Sequence, residues 1–413
     1  MFTRTSAATA ALTAAVAVTA ATALTQPASA QEIKVGVVLP YTSVNAESSQ
    51  QMDRGMEMYL KLNADAVKPY TIKLIKRDAK NPGGADAKAA VQELLTEDKV
   101  DAVVGWIYSP NAIAAAPLLS AANKLGVIMN AGTAWITQLS PDFVRTSFSM
   151  WDAGYTLGAA AAKELHAKTA VVAYTDYPPG KDSLDAFKAG FEANGGKVID
   201  AIPAGGPAAV PDFTPFFQRA KDEHPDVLFV FVPAGDHAVA VEKTYAALGM
   251  GAAGIKLIGP GDITQDIKLQ QMGDAAVGTV TMHHYNADLD NPENKRFVAA
   301  WKKAYGPDST PDFTAVGAYD GMAAVVHAVH AMKGHIDDGK AAVKTLLGWK
   351  FDSPQGPVEI DPKTGDVVMN EYLDEVYKGA DGKLHQKVLA TYHHVTDECK
   401  TLGFEKCGTL PRR

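Results

Sequence analysis

The chain has 413 residues, of which 47% are hydrophobic, and a formal net charge of −8. That balance suits a large packed globule and speaks against a nucleic-acid partner, which would call for a basic face. About 380 residues beyond the N-terminal segment exceed one ordinary core, so two domains are expected.

Residues 1–30 open with Met1 and a lone Arg4, run through an Ala/Thr/Val/Leu stretch with no acidic residue, and end in Ala28-Ser29-Ala30 before Gln31. This is the form of a signal peptide cleaved after Ala30. A membrane anchor is the alternative reading, but the apolar run is short, diluted by threonine and without a basic stop-transfer flank. No cysteine lies near the junction to carry a lipid, and no later run approaches the length of a membrane span. A soluble exported protein is therefore expected.

From Glu32 short β-rich runs alternate with helical patterns. EIKVGVVLP is followed by a helix with Met52, Met56, Tyr59 and Leu60 on one face, then YTIKLIKRD, a helix with Ala87, Val91, Leu94 and Leu95, and VDAVVGWI. Strands apolar on both faces and spaced by amphipathic helices predict a parallel sheet covered on both sides. After FVRTSFSMWDAGY the pattern restarts: a helix to about His166, KTAVVAYTD, a helix from Lys181 to Asn194, GGKVIDAIP, a helix through Phe216 and Phe217, PDVLFVFVP, a further helix, GIKLIGPGD and VGTVTMHHY. Two or three helices between Pro292 and Gly348 then precede a strand-rich stretch from Val358 to Val395. No Ser/Gly-rich linker separates the halves, which predicts two doubly wound α/β lobes with a chain that crosses between them several times.

Asp101 to Thr137 and Asp226 to Thr264 read alike: apolar strand, polar loop, Ala-rich helix, Leu-Gly, then GVIMNAGTAWIT against GIKLIGPGDIT. Open α/β sheets bind ligands beyond the carboxyl ends of their strands, so loops 106–111, 131–136, 233–236 and 260–264 are expected to face one crevice. The alternative is a duplicated scaffold with one working face.

Catalytic and metal motifs are missing. Gly249-Met250-Gly251-Ala252-Ala253-Gly254 matches G-x-G-x-x-G, but a helix precedes it and a strand follows, the reverse of a dinucleotide site, so it reads as a helix C-cap and turn. No G-x-S-x-G, H-E-x-x-H, Walker loop or C-x-x-C occurs. An enzyme, a cofactor and a bound metal are accordingly not expected. His283 and His284, as neighbours on a strand, are expected to point to opposite faces, leaving one of them, His284 near a lobe crossover, to reach ligand. His327 and His330 share a helical face as a solvated or partly packed pair. Cys399 and Cys407 are the only cysteines. In an oxidising compartment they are expected to pair, closing a short loop worth at most about 2 to 3 kcal/mol; a metal held with His393 and His394 is the alternative.

The stretch AVVGWIYSPNAIAAAPLLSAANKLGVIMNAGTAWITQLSP, with EIKVGVVLP, Asp78 closing the second strand, LGMGAAGIKLIGPGD and F-x-S-x-x-G from Phe351 to Gly356, resembles the branched-chain amino-acid-binding proteins of ABC importers over nearly the whole exported chain. The resemblance implies a type I periplasmic binding fold with three hinge crossings, near Met150, Tyr285 and Pro357. Lobe 1 is then 31–150 plus 286–357, and lobe 2 is 151–285 plus 358–413. It also implies that Ser109 and the loop of Thr133, Ala134 and Trp135 bind a ligand carboxylate, an acceptor that hydroxyls and helix N-terminal amides suit. Ser109 equally reads as a helix N-cap, and one helix end can serve both roles.

Three positions depart from that family's pattern. The first-loop tyrosine is Ser48, the second-lobe tyrosine is Pro179 before Gly180, and the glutamate that holds the ligand's ammonium is Gly261, with Asp262 one place on. Trp106, Tyr108, Trp135, Trp151 and Tyr177 place more aromatic surface around the crevice than a leucine side chain requires, although some of them are expected to pack beneath loops. The function expected is a monomeric periplasmic receptor that captures a small organic carboxylate, an aromatic acid before a branched-chain amino acid, and delivers it to the permease subunits of an ABC transporter. A ligand-sensing module for a signalling partner and an enzyme acting in the cleft are the alternatives.

Overall fold

The computed structural model describes residues 1–3 and 31–403. Most of the expected signal peptide, its cleavage site at Ala30 and Cys407 lie outside those residues. No helix among the described residues is long and apolar enough to cross a membrane.

The first sheet contains five parallel strands, β1 (Glu32–Leu39), β2 (Thr71–Asp78), β3 (Ala102–Gly105), β4 (Leu125–Ile128) and β5 (Phe143–Arg145), in the order β2-β1-β3-β4-β5. Their connections carry α1 (Ala46–Leu62), α2 (Ala64–Val67), α3 (Ala85–Glu93) and α4 (Ser109–Ala122). Central strands β3 and β4 are buried at every position, which is why their sequences show no polar alternation.

The chain enters the second sheet through α5 (Met150–Lys163) and continues through β6 (Thr169–Tyr174), α6 (Pro178–Ala193), β7 (Lys197–Pro203), α7 (Thr214–Asp222), β8 (Val227–Phe231), α8 (Asp236–Ala247), β9 (Lys256–Pro260), α9 (Asp266–Met272) and β10 (Val280–His283). Helix α6 starts three residues before the expected Lys181, because its two leading prolines fit a first turn whose N–H groups need no intrahelical partner. The chain then returns: α10 (Pro292–Tyr305), α11 (Phe313–Ala331) and α12 (Gly339–Leu346), with α11 packed along α1 and α12 beside β4. Gly55 permits the α1–α11 approach, since a Cβ there would lie 2.1 Å from the Ala315 carbonyl oxygen. Strands β11 (Lys350–Ser353), β12 (Gly356–Ile360), β13 (Val367–Lys378) and β14 (Leu384–Val395) extend the second sheet antiparallel to β10, and α13 (Glu398–Leu402) closes the described chain. The second sheet is thus parallel only from β7 to β10; its other half is a meander.

The repeated sequence unit is a repeated structural unit. Strand β3, α4 and β4 run into a 3-10 turn at Ala134–Leu139, as β8, α8 and β9 run into one at Gly261–Thr264. The glycine-rich stretch between α8 and β9 is the turn expected, with Gly249 at φ 60° and Gly254 at φ 83°.

One core spans the return crossings. Phe148 between β5 and α5, Tyr285 after β10, and Phe313 at the start of α11 belong to the same buried cluster as Val172, Phe229 and Ile258 of the second sheet. The expectation that His283 and His284 face opposite ways is wrong: their ring centroids are 4.3 Å apart. Strand β10 ends at His283, so the two-residue alternation stops before His284, and both rings pack against Phe148 and Phe313.

Candidate ligand-binding site between the two sheets

The carboxyl ends of both sets of parallel strands face each other, and helix starts converge in the gap. A narrow cavity is lined by Asn45 and Ser48 at the start of α1, by Ile107 and Tyr108 before α4, and by Asn130 after β4. Tyr177 before α6, Pro233 and Ala234 before α8, Asp262 after β9, and Phe313 and Thr314 opening α11 complete it. Four of the five helix starts, those of α1, α4, α6 and α8, carry no side-chain cap, whereas Asp312 caps α11 through the Ala315 N–H at 3.0 Å. Unsatisfied first-turn N–H groups and the positive ends of the helix dipoles make such a junction favourable for an anion.

Polar contacts hold the two halves around this cavity. Asn45 Nδ2 donates to the Ala234 carbonyl at 3.1 Å, and the Tyr108 hydroxyl donates to Asn45 Oδ1 at 2.8 Å. Gln265 Nε2 donates to Ser48 Oγ at 3.2 Å and to Asp312 Oδ2 at 2.5 Å. At the rim, Lys268 of α9 pairs with Glu47 of α1 at 2.5 Å and with Asp236 of α8 at 2.9 Å. The arrangement is that of a closed cleft.

The sequence-identified residues divide into groups. Ser48, Tyr108, Tyr177 and Asp262 share the cavity. Ser109, Thr133, Ala134 and Trp135 form an adjoining seam in which two amides are already used: Thr133 N–H donates to Ser109 Oγ at 3.1 Å, and Ala134 N–H donates to Asp182 Oδ2 of α6 at 2.9 Å. Buried Arg145 holds the Thr133 carbonyl at 2.5 Å, while Lys400 donates to the Ala134 carbonyl at 2.7 Å and lies 5.6 Å from the Trp135 ring centre. Trp151 packs with Ala134, Ala186 and Cys399 beside this seam. Trp106 adopts φ 61° and turns into the core beneath α3 and α4, edge-on to Phe143 at 5.5 Å. His284 is completely buried behind the Phe148 and Phe313 rings, and burial lowers its pKa to about 3. Sequence reasoning missed Asn45, Asn130, Phe313 and Thr314. Asn45 and Asn130 follow strand ends, a signal that was available; nothing local marks Phe313 or Thr314, which reach the cavity only because α11 packs there.

Asp262 is 6% exposed, and burial pushes its carboxyl up to about 7. His283 Nε2 lies 3.8 Å from Asp262 Oδ2, but burial and then His284 hold the imidazole well below its ordinary pKa. A neutral ring at that distance makes neither an ion pair nor a hydrogen bond. Burial, with Asp262 and Tyr108 nearby, raises the Tyr177 hydroxyl well above its ordinary pKa, so it remains a neutral donor, stacked on Phe231 at 6.1 Å.

A profile described as periplasmic binding protein matches residues 32–381. The chain belongs to this family. A Leu/Ile/Val-binding protein homolog from Brucella melitensis is 36% identical over 370 residues, 90% of this chain and 94% of that protein. Two solved solute-binding proteins of ABC transporters from Rhodopseudomonas palustris superpose with a TM-score of 0.84. One, from strain BisB5 in complex with 3,4-dihydroxybenzoic acid, is 41% identical and covers 89% of this chain and 99% of its own. The other, from strain HaA2 in complex with p-hydroxybenzoic acid, is 36% identical and covers 89% and 98%. A leucine-binding protein from Thermotoga maritima shares the fold at 21% identity, TM-score 0.75, covering 87% of this chain and 99% of its own.

As a periplasmic binding protein, this chain has an informative Gly261. A Cβ there would lie 2.6 Å from His283 Cβ and 2.7 Å from its Cγ and Cδ2. The His283 ring therefore occupies the space that any side chain at 261 would need.

Proposed function

We propose that this protein is the periplasmic receptor of an ABC importer and that it captures a benzoate-type aromatic monocarboxylate. The carrying observation is that the neutral His283 imidazole fills the volume of a side chain at Gly261, the position where the resembled amino-acid receptors carry an ammonium-binding glutamate. Asp262, whose carboxyl burial raises to about 7, is the one acidic group among the described lining residues left to face an ammonium there, and a buried ammonium without an ionised partner costs several kcal/mol. The carboxylate meets neutral donors instead: the Ser48 and Tyr177 hydroxyls and the uncapped starts of α1, α4, α6 and α8. Tyr108, Tyr177 and Phe313 supply aromatic walls. Ser109, Thr133, Ala134 and Trp135 set the position of the cleft wall from the adjoining seam.

The mature receptor begins at Gln31 after removal of the signal peptide, works as a monomer without turnover, and carries a Cys399–Cys407 disulfide. Its lobes, 31–150 plus 286–357 and 151–285 plus 358–413, close around ligand and dock on permease subunits. Family membership and the composition of residues 1–30 support export to the periplasm.

Calorimetric titration with benzoate, phenylalanine and leucine tests the ligand class. Benzoate is expected to bind in the micromolar range or tighter, with leucine giving no heat at millimolar concentration. Submicromolar leucine binding with no response to benzoate would return the ligand to the branched-chain amino acids.

A further inference from the structure

Asp262 is the only ionisable acid or base among the described residues lining the cavity other than the tyrosines, and no lysine or arginine among the described residues pairs with it. Its Oδ2 and both ring nitrogens of His283 are buried with no hydrogen-bond partner among the described residues. A site for a carboxylate gains nothing from a second, ionised carboxyl, and the Oδ2 atom of Asp262 meets no protein donor among the described residues. Such an unpaired acceptor is costly to retain unless the ligand satisfies it. The chemistry that does so on an aromatic acid is a hydroxyl on the ring, because a phenolic O–H donates one strong bond to a carboxyl oxygen and brings no charge into the cavity. His283 lies against Asp262 on one side and against Phe313, a wall of the same cavity, on the other, with ring centroids 4.5 Å apart. It thereby fixes where the Asp262 carboxyl stands without neutralising it.

We propose that this receptor selects hydroxylated benzoates over benzoate, with the ring hydroxyl donating to the Asp262 carboxyl and His283 acting as the residue that positions it. This rests on the aromatic-acid reading above and specifies the substituent that the site reads. Other lining groups take the ligand carboxylate; Asp262 reads the ring.

The test is a set of affinities for benzoate, 4-hydroxybenzoate and 4-fluorobenzoate, measured by titration calorimetry on the intact protein and on Asp262→Ala. Fluorine is close to a hydroxyl in size and cannot donate. The wild-type protein is expected to favour 4-hydroxybenzoate over benzoate by tenfold or more and to hold 4-fluorobenzoate within threefold of benzoate. In Asp262→Ala the hydroxyl preference is expected to fall below threefold. Equal wild-type binding of benzoate and 4-hydroxybenzoate, an equal gain from fluorine, or an undiminished preference in Asp262→Ala would overturn the proposal while leaving the aromatic-acid reading in place. Silence toward all three acids, with leucine bound tightly, would overturn both. The fluorine comparison uses wild-type protein alone, so an equal gain from fluorine overturns the proposal even if Asp262→Ala does not fold.

Discussion

Glu242 illustrates how a single residue sets a pH dependence that no motif announces. It is fully buried on α8, its Oε2 accepts from the Thr279 hydroxyl at 3.0 Å, and burial raises its pKa to about 8. Asp320, at about 8, and Asp374, at about 7, are raised for the same reason. A carboxyl with a raised folded-state pKa holds its proton better folded than unfolded, so its contribution is present at low pH and lost as pH rises toward the folded pKa. The buried histidines oppose this only below about 6.5, the unfolded histidine value. Stability should therefore fall between pH 6.5 and 8.5, and the Glu242 share of that fall is about 2 kcal/mol if its unfolded pKa is ~4.3. Chemical denaturation at the two pH values checks this: Glu242→Gln should flatten the slope, and an unchanged slope would remove Glu242 from the account. At this scale the sequence was legible only in part. Ser48, Tyr108, Tyr177 and Asp262, expected from strand-end loops and resemblance, lie together at the cavity, while Trp106, expected at the cleft, turns into the core on a left-handed backbone that nothing in WIYSP reveals.

Between elements, α5 packs closely against α6. A Cβ on Gly158 would lie 2.4 Å from the Phe187 carbonyl oxygen and 2.6 Å from the Phe191 nitrogen, and one on Gly190 would lie 2.1 Å from the Tyr155 oxygen. These are backbone atoms, which cannot swing aside. Gly158→Ala should therefore destabilise by at least about 1–3 kcal/mol, the usual cost of overpacking. Gly83→Ala, where a Cβ would meet nothing within 4 Å, should change stability by less than about 1 kcal/mol. Urea midpoints for the two variants separate a packing requirement from a general intolerance of alanine, and equal midpoints would contradict the interface account. Helix and strand types followed from apolar periodicity, since each element buries a face that its spacing defines. Which glycines are contact points did not, because that depends on which helices become neighbours.

For the whole molecule, the proposed capture of ligand requires a balance between open and closed arrangements, and two kinds of contact bias it. The Asp182 carboxylate bonds the Ala134 N–H across the cleft while completely buried, and a hydrogen bond to a charged group of this kind contributes roughly 1.5–3 kcal/mol. The Lys268 bridge joins side chains of Glu47 and Asp236 that are 59% and 61% exposed, so solvent screening leaves it at roughly 0–1 kcal/mol. Asp182→Ala should therefore weaken ligand binding about tenfold or more, with a larger radius of gyration in ligand-free solution scattering, and Lys268→Ala should weaken binding less than about fivefold. The reverse ranking would place closure in the rim charges. The order of strands and helices, the repeated unit and the strand-end loops were determined by the sequence alone, because periodicity and turn chemistry are local. That His283 fills the side-chain space of Gly261, that α11 brings Phe313 and Thr314 to the cavity, and that Asp182 uses the Ala134 amide were decided only by the tertiary structure, because each joins residues distant in the chain whose meeting depends on how two sheets dock.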